Sequence, residues 1–328
     1  MAGSRRTTAA SRESSAAEPR ADFARLSTEA VHPRAGKLDT LPPEEIAALM
    51  LGEESRALSA ARGRAAEIGR AARLCADKLA TGGRLVYVGA GTSGRLGTLD
   101  AVECVPTFGV PPSRVVPIIA GGPAALTRSV EGAEDNVREA EQRMRRAAVG
   151  PADVVCGVAA SGVTPFVRTA LEYARFRRAA TIFVTCAPLS ATGDVPADVV
   201  IALDTGPEVI AGSTRLKAGT ATKVALNAIS TTAFVLLGKT YAGMMVDVRP
   251  TNAKLWARAT RIVRSLSDLD EAAARKLIER AGGRAKVALV MHHAGVSAAR
   301  ARELLVSHKG SLRAIVGDLP IRPPTEAS

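Results

Sequence analysis

Five short runs of apolar residues are spaced along the middle of the chain. They cover residues 84–88, 115–119, 153–159, 181–185 and 199–203. Continuous apolar runs of this length are typical of strands that are buried on both faces of a parallel sheet. The stretches between them carry apolar residues at helical spacing, for example over residues 165–177. Strands that alternate with helices predict an α/β fold, with a doubly wound parallel sheet inside an αβα sandwich.

Helical patterns also precede and follow this predicted sheet. Residues 53–80 and 213–237 are two long stretches with apolar residues at helical spacing. Residues 268–319 hold three shorter helical stretches, which glycines divide, and they suggest a small helical appendage. We therefore predict a disordered tail over residues 1–25, a sheet domain over residues 26–265 and a small helical domain over residues 266–328.

The composition of the 328 residues narrows the class of protein. The length suits two domains, and 47% apolar with 23% charged residues is a globular composition. The net charge is +12, but the basic residues are scattered and aromatic residues make up only 3% of the chain. Nucleic-acid binding needs a clustered basic surface, and single-strand binding needs stacking aromatics. No apolar run approaches the roughly 20 residues that span a bilayer, so we predict neither nucleic-acid nor membrane partners.

The spacing of the cysteines and histidines bears on whether the protein binds a metal and on its cellular compartment. The four cysteines lie far apart without a CxxC pair, which argues against a disulfide framework and a zinc site. They favour a reduced, cytoplasmic protein. Residues 1–21 lack the apolar stretch of a signal peptide. Adjacent histidines on a helix point apart, so His292 and His293 do not predict a metal site.

A glycine-rich turn, GAGTSGR at residues 89–95, follows the first predicted strand and opens a helix. Glycines let an anion approach the backbone, and a helix N-terminus favours negative charge. Gly91, Thr92 and Ser93 would supply backbone and hydroxyl donors. No acidic residue follows at the distance of a dinucleotide site, and the Gly-Lys-Ser/Thr ending of a P-loop is missing. The alternative is a plain tight turn between strand and helix.

A second turn, ASGVTP at residues 160–165, follows the third predicted strand. Ligands in parallel sheets bind at the carboxyl ends of the strands, where Ser161, Gly162 and Thr164 would lie. Two such turns in one sheet resemble the sugar isomerase (SIS) fold, whose members hold a phosphosugar there. The alternative is N-capping of the next helix by Ser161 or Thr164, which is compatible with phosphate binding.

The third stretch, GPEVIAGSTRLKAGT at residues 206–220, combines a turn with a helix start. We expect Ser213 to cap this helix, with Arg215 and Lys217 in its first turn. Cations at a helix N-terminus oppose the helix dipole. A ligand anion or the carboxylate of Glu208 would offset that cost, and the alternative is a purely structural Glu–Arg pair.

Residues 206–220 resemble the signature shared by N-acetylmuramic acid 6-phosphate etherases and glucokinase regulatory proteins. The match continues through Asn227 and residues 241–255, and overall it runs from about residue 26 to about residue 317. The resemblance implies an SIS domain followed by a small, UBA-like helical domain. It implies that a phosphorylated amino sugar is bound by Gly91, Thr92, Ser93, Ser161, Gly162, Thr164, Ser213, Arg215 and Lys217.

Two acidic stretches, residues 99–108 and 128–135, resemble those that carry the catalytic residues of the etherases. The catalytic pair of the family falls on Glu103 and Glu134. The resemblance implies that Glu103 protonates the departing lactate oxygen and later activates water, while Glu134 removes the proton from C2 of the sugar.

The implied activity is a carbon–oxygen lyase reaction on N-acetylmuramic acid 6-phosphate. Lactate is eliminated and water is added, which gives N-acetylglucosamine 6-phosphate and D-lactate, and no metal or nucleotide cofactor is required. The family also implies a homodimer, for which the predicted helices at residues 53–80 and 213–237 are candidate interfaces. Two alternatives stay open: a non-catalytic phosphosugar-binding regulator and a phosphosugar isomerase.

Overall fold

The computed structural model describes residues 28–248 and 250–321 of the protein, and the predicted tail at residues 1–25 lies outside them. The strands are β1 (Leu85–Gly89), β2 (Val115–Ile119), β3 (Val154–Val158), β4 (Ala180–Thr185) and β5 (Val199–Ala202). They form one parallel sheet in the order β2-β1-β3-β4-β5. Each of the five predicted strands is confirmed to within one residue at either end.

The helices of the sheet region lie between and around these strands. They are α1 (Pro43–Arg62), α2 (Ala65–Ala80), α3 (Gly91–Phe108), α4 (Val137–Arg146), α5 (Pro165–Phe176), α6 (Leu189–Thr192) and α7 (Lys217–Leu236). Leu85 and Tyr87 of β1 point into the core that α2, α3 and α7 cover. Val86 and Val88 point into the opposite core, which α4 and α5 cover. Since both faces of the sheet are buried, the predicted αβα sandwich is confirmed.

The predicted helical stretch at residues 53–80 is interrupted. α1 ends at Arg62 and α2 begins at Ala65, with Gly63 and Arg64 between them. The side chain of Arg64 leaves the helical path and donates through Nε to the carbonyl oxygen of Ala202 at 2.8 Å. This long-range bond anchors the junction to the end of β5, so the prediction of one continuous helix is wrong.

The C-terminal helices bury a core of their own. They are α8 (Ala253–Ser265), α9 (Glu271–Arg280), α10 (Ala285–Ala294), α11 (Ala298–Ser307) and α12 (Leu312–Val316). The prediction of three helical stretches after residue 268 is wrong in number, because Gly310, with a φ of 79°, separates a fourth helix of five residues. Tyr241 and Val246 also belong to this core, so a domain boundary at residue 265 stays a prediction.

The adjacent histidines of α10 hold the turn between α8 and α9. Nε2 of His292 lies 2.9 Å from Oδ1 of Asp268, and Nε2 of His293 lies 2.6 Å from the carbonyl oxygen of Leu266. Burial lowers the pKa of His293 below its ordinary value. Both rings therefore contact protein groups of this turn.

Within residues 28–248 and 250–321, none of the helices is both long and apolar enough to cross a membrane.

A buried ion pair joins the starts of β1 and β3. Arg84 donates through Nε to Oδ1 of Asp153 at 2.9 Å and through Nη2 to Oδ2 at 2.7 Å. Burial alone would raise the pKa of Asp153, but the hydrogen bonds and charge of Arg84, with the amide of Gly150, outweigh burial and lower the pKa. Asp153 is therefore a stronger acid in the folded protein than in the unfolded chain.

We expect Asp153→Asn to lower the free energy of unfolding at pH 7 by roughly 1.5–3 kcal/mol, the usual contribution of hydrogen bonds to a charged group. A carboxylate with a lowered folded pKa stabilises the fold above its unfolded pKa of about 4, and this contribution is lost as the pH falls through the folded pKa. The deficit of the variant in urea denaturation should therefore shrink between pH 7 and pH 3. Glu141→Gln, which breaks an exposed ion pair with Arg145, should change stability by less than about 1 kcal/mol. An Asp153→Asn deficit of equal size at both pH values would contradict this account.

Candidate active site

The two glycine-rich turns lie side by side at one edge of the sheet. Gly89 at the end of β1 is paired with Val158 at the end of β3. The turns that follow these two strands are therefore neighbours, as the parallel topology predicts. Ser93 and Ser161 therefore both lie at this end of the sheet, although α3 and α5, which follow the two turns, cover opposite faces.

The first turn depends on a very close approach of α3 to β1. A Cβ atom added at Gly94 would lie 2.7 Å from the carbonyl oxygen of Gly89, and Gly91 has a φ of 51°. Thr92 and Ser93 lie half-buried in the first turn of α3, where no side chain caps the helix. The first amide groups of α3 and these two hydroxyls are thus available to an anion.

The second turn is held in place by an arginine that the sequence analysis did not single out. Arg168 donates to the carbonyl oxygens of Gly162, Thr192 and Asp194 at 3.3, 2.8 and 2.6 Å. Gly162 has a φ of 83°, and a Cβ atom there would lie 2.3 Å from Cγ2 of Thr192. Arg168 lies at the start of α5, where a cation opposes the helix dipole. This unfavourable placement was the sequence signal that could have pointed to a role for Arg168.

The hydroxyls of the second turn do not cap α5. Thr164 occupies the N-cap position without a side-chain hydrogen bond. The Ser161 hydroxyl accepts only a long contact, 3.5 Å, from the amide of Val163. N-capping therefore does not explain these two side chains, and both remain half-buried at the sheet edge.

The signature stretch begins its helix later than predicted. α7 starts at Lys217, so Ser213 and Arg215 lie in the preceding turns, and Ser213 does not cap the helix. The cap comes from Glu208, whose Oε1 accepts from the amide of Ala218 at 2.7 Å and whose Oε2 accepts from the amide of Lys217 at 3.3 Å. A carboxylate at this position favours the helix dipole. The side-chain carboxylate of Glu208 thus caps α7 by accepting from two backbone amides of the helix, and these bonds take the place of the predicted Glu–Arg pair.

Lys217 points into the protein. Its Nζ donates to Oε2 of Glu53 at 2.8 Å and to the carbonyl oxygen of Pro207 at 2.7 Å. His32, which is also buried, places Nε2 at 3.2 Å from the same Oε2. Burial alone would raise the pKa of Glu53, but Lys217, Arg56 and His32 together outweigh burial and lower it. The Lys217 ammonium therefore ties the signature stretch to α1, and a contact with a ligand stays a prediction.

The exposed cation of the signature stretch is Arg215. Its guanidinium makes no hydrogen bond or ion pair to any residue within 28–248 and 250–321. Of the two predicted cations, Arg215 is therefore the one that an anion can approach in this structure.

Glu134 lies in a short turn that packs beside the residues following β2. It belongs to the exposed 3-10 turn Ala133–Asp135, and Gly121, just after β2, approaches that turn so closely that an added Cβ would lie 3.2 Å from Cβ of Ala133. Arg95, in the first turns of α3, donates to the carbonyl oxygens of Leu126 and Arg128. The segment that leads to Glu134 is thereby anchored beside the first glycine-rich turn.

Glu103 lies farther along α3. Ten residues separate it from Ser93, which corresponds to about 15 Å along the helix axis. Its side chain is exposed and borders an open pocket of about 410 Å³ with mostly apolar walls, among them Val102, Val105 and Pro106. The structure thus groups Ser93, Ser161 and Glu134 at the sheet edge and leaves Glu103 at a distance from them.

The chain resembles known proteins in family profile, in structure and in sequence. The family profile of the glucokinase regulatory protein N-terminal SIS domain matches residues 67–175. A solved phosphoheptose isomerase, GmhA from Neisseria gonorrhoeae, overlaps 58% of this chain and 97% of its own, at 15% identity and a TM-score of 0.41. An overlap this loose says nothing about activity.

Sequence relatives match over far more of the chain. The protein named N-acetylmuramic acid 6-phosphate etherase of Gloeothece citriformis is 48% identical over 289 residues, which cover 88% of this chain and 94% of the relative. The protein of the same name from Gloeobacter violaceus is 52% identical over 271 residues, covering 82% and 88%. Identity at this level, over nearly the full length of both partners, shows that the chain belongs to the N-acetylmuramic acid 6-phosphate etherase family.

Proposed function

We propose that this protein cleaves the D-lactyl ether of N-acetylmuramic acid 6-phosphate, which yields N-acetylglucosamine 6-phosphate and D-lactate during recycling of cell-wall amino sugars. The observation that carries the proposal is the near full-length identity to proteins named for this etherase activity. Release of D-lactate from the purified substrate is the direct test. A protein that binds the substrate but releases no lactate would refute the proposal.

The chemistry calls for two carboxyl groups in different protonation states. In the ring-opened sugar, the C2 proton is alpha to the aldehyde, and a carboxylate base can remove it to leave an enolate. The enolate then expels the C3 oxygen, which takes a proton from an acid and departs as D-lactate. Water adds its oxygen to C3, and C2 regains a proton, so that the net change is hydrolysis of one C–O bond. Environments that push the pKa values of two carboxyl groups apart allow this division of labour.

Residues are assigned to these steps as follows. Glu134 removes the C2 proton, while Glu103 protonates the lactate oxygen and then activates the water. The location of Glu134 beside the first glycine-rich turn supports its role near a phosphate-anchored sugar. The role of Glu103 rests on the family resemblance. Its side chain is exposed beside an open pocket and is therefore accessible, but it lies about 15 Å along α3 from Ser93. No step uses a metal or a nucleotide.

The phosphate is assigned to the two glycine-rich turns. Each of Ser93→Ala and Ser161→Ala should weaken binding of N-acetylglucosamine 6-phosphate by about 1.5–3 kcal/mol, the usual contribution of a hydrogen bond to a charged group. Calorimetric titration measures this loss. Ser59→Ala, on the exposed face of α1, serves as the control and should bind as the parent does. A Ser93→Ala protein with the parent affinity would remove Ser93 from the site.

A homodimer is part of the proposal, but with an interface other than the predicted helices at residues 53–80 and 213–237. The small residues of α2 and α7 pack against each other within the protomer, so they no longer support an interface. Leu99 and Val102 of α3 are large apolar residues that are 47% and 58% exposed, and they flank Glu103. These exposed apolar side chains support contact with a second copy that borders the pocket at Glu103 without closing it.

Sedimentation equilibrium at micromolar concentration should therefore give twice the 33.9 kDa mass of the chain. Leu99→Lys combined with Val102→Lys should shift the protein toward a monomer, because charges at the centre of an interface oppose association. A parent protein that sediments as a monomer would contradict the dimer. The proposed compartment is the cytoplasm, which is supported by four buried free thiols.

A phosphosugar-binding regulator is the second candidate, because the matching family profile describes the SIS domain of such a protein. The same lactate assay separates the two functions. A regulator would bind the sugar phosphate with no turnover.

A further inference from the structure

A buried carboxylate, Asp100, joins three elements of the fold at one point. The residue lies on α3 and is only 4% exposed. Its Oδ2 accepts from the hydroxyl of Tyr87 on β1 at 2.8 Å. Its Oδ1 accepts from Nδ2 of Asn227 at 2.7 Å and from Oγ of Ser230 at 3.0 Å, both on α7. One side chain therefore links α3 to the sheet and to the signature helix.

The contact between α3 and β1 is otherwise built from glycines. A Cβ atom added at Gly97 would lie 2.9 Å from Cβ of Tyr87, and one at Gly94 would lie 2.7 Å from the carbonyl oxygen of Gly89. Glycine permits this close approach of two backbones. The glycines set the separation of helix and strand, and Phe108, which stacks on Phe234 of α7 with ring centroids 4.5 Å apart, packs the far end of α3. Together with this packing, the directional hydrogen bonds of Asp100 fix the rotation of α3.

Glu103 projects from the same helix, three residues after Asp100. It is exposed and forms no hydrogen bond or ion pair with the residues that the structure describes. The direction of its Cα–Cβ bond, and so the region that its carboxyl group can reach, therefore follows the rotation of α3. Side-chain atoms lie about 5 Å from a helix axis, so a rotation of about 20° displaces them by about 2 Å. A misplacement of about 1 Å at a reacting centre can cost about 10²-fold in rate.

We propose that Asp100 is a positioning residue, which Tyr87, Asn227 and Ser230 hold so that Glu103 points at the C3 oxygen of the substrate. The proposal rests on the proposed function, since it concerns the proton that Glu103 gives to lactate. It assigns a role to Asn227, which belongs to the family signature but lies ten residues into α7. Apolar packing of the same volume is often as stable as buried charge. The carboxylate adds a defined orientation, which apolar packing alone does not supply.

Three variants each remove one donor to Asp100: Tyr87→Phe, Asn227→Ala and Ser230→Ala. The matched control is Ile229→Val, a buried change on α7 that leaves every donor to Asp100 in place. Three quantities are measured well below the Tm of each protein: release of D-lactate from N-acetylmuramic acid 6-phosphate, exchange of the C2 proton in D2O, and binding of N-acetylglucosamine 6-phosphate.

We expect Asn227→Ala to slow lactate release by at least about tenfold, to slow C2 exchange by a smaller factor and to change product binding by less than about twofold. The ratio of exchange to release rises because a misdirected Glu103 impairs departure of lactate more than removal of the C2 proton. Tyr87→Phe and Ser230→Ala should shift this ratio in the same direction. Ile229→Val should lower the Tm and leave the ratio at the parent value.

A purely structural role gives a different result. Variants that lower the Tm but keep the parent ratio of exchange to release would overturn the positioning role, as would equal losses of exchange, release and binding. If Asn227→Ala fails to fold, Tyr87→Phe decides the question, because it removes one oxygen atom and keeps the ring. A parent protein that releases no lactate would refute the proposed function itself, whereas an active parent with unchanged ratios refutes the positioning role alone.

Discussion

Lactate release by the Glu103→Gln variant should fall by about 10²–10⁴-fold, while the C2 proton of the substrate continues to exchange with solvent deuterium. A glutamine has nearly the shape of a glutamic acid but cannot donate the proton that the departing lactate oxygen needs. Loss of a general acid or base typically costs this factor. Because Glu103 is exposed and makes no bond to a described residue, the substitution should leave the fold and the Tm unchanged. Lactate is measured enzymatically, and deuterium at C2 is measured by NMR.

Two outcomes would contradict the assignment of Glu103. If the variant loses C2 exchange while Glu134→Gln keeps it, the two carboxyl groups have the opposite roles. If the variant releases lactate at nearly the parent rate, Glu103 is not the acid. Glu141→Gln is the matched control, since it is another exposed carboxylate on a helix and lies outside the assigned site.

The sheet and its turns could be predicted because their signals are local. A strand buried on both faces is a continuous apolar run, and each of the five runs gave a strand. The glycine-rich turns follow β1 and β3 directly, and parallel pairing of Gly89 with Val158 brings them together. The alternation of strands and helices predicts parallel strands whose carboxyl ends lie at one end of the sheet, so both turns were expected there. The direct pairing of β1 with β3, where the strand order reverses, came from the structure.

The start of α7 could not be predicted from local signals. Ser213 is a good N-cap residue by type. The cap instead comes from the carboxylate of Glu208, nine residues before Lys217, which accepts from the amide groups of Lys217 and Ala218. The loop between them has to fold back for this to happen. Lys217 looked like a ligand cation because its partner, Glu53, is far away in the sequence. Contacts between distant segments decided both cases.

The hydrogen bonds around Asp100 could not be predicted from the sequence either. A single aspartate in a helix is usually a solvated residue, and its spacing from Tyr87 and Asn227 forms no recognisable motif. Only the packing of α3 between β1 and α7 reveals the donors Tyr87, Asn227 and Ser230 around it, beside a weak contact from Sγ of Cys104 on α3 itself. Buried polar clusters of this kind depend on tertiary structure, whereas strands and turns can be predicted from short segments of sequence.

The Glu134→Gln variant should lose both C2 exchange and lactate release, each by about 10²–10⁴-fold, because removal of the C2 proton precedes departure of lactate and needs a base. Binding of N-acetylglucosamine 6-phosphate should change far less, since the proposed phosphate contacts of Ser93 and Ser161 remain. Asp135→Asn, in the same exposed turn, is the control for disturbance of the turn and should retain both rates.

The decisive comparison is between the two glutamine variants, assayed on one substrate sample in D2O. We expect Glu134→Gln to lose exchange and release together, and Glu103→Gln to retain exchange. This result would show that removal of the C2 proton comes before protonation of the lactate oxygen. If Glu134→Gln exchanges the C2 proton at the parent rate, another group is the base, and Glu134 contributes to binding of the sugar instead.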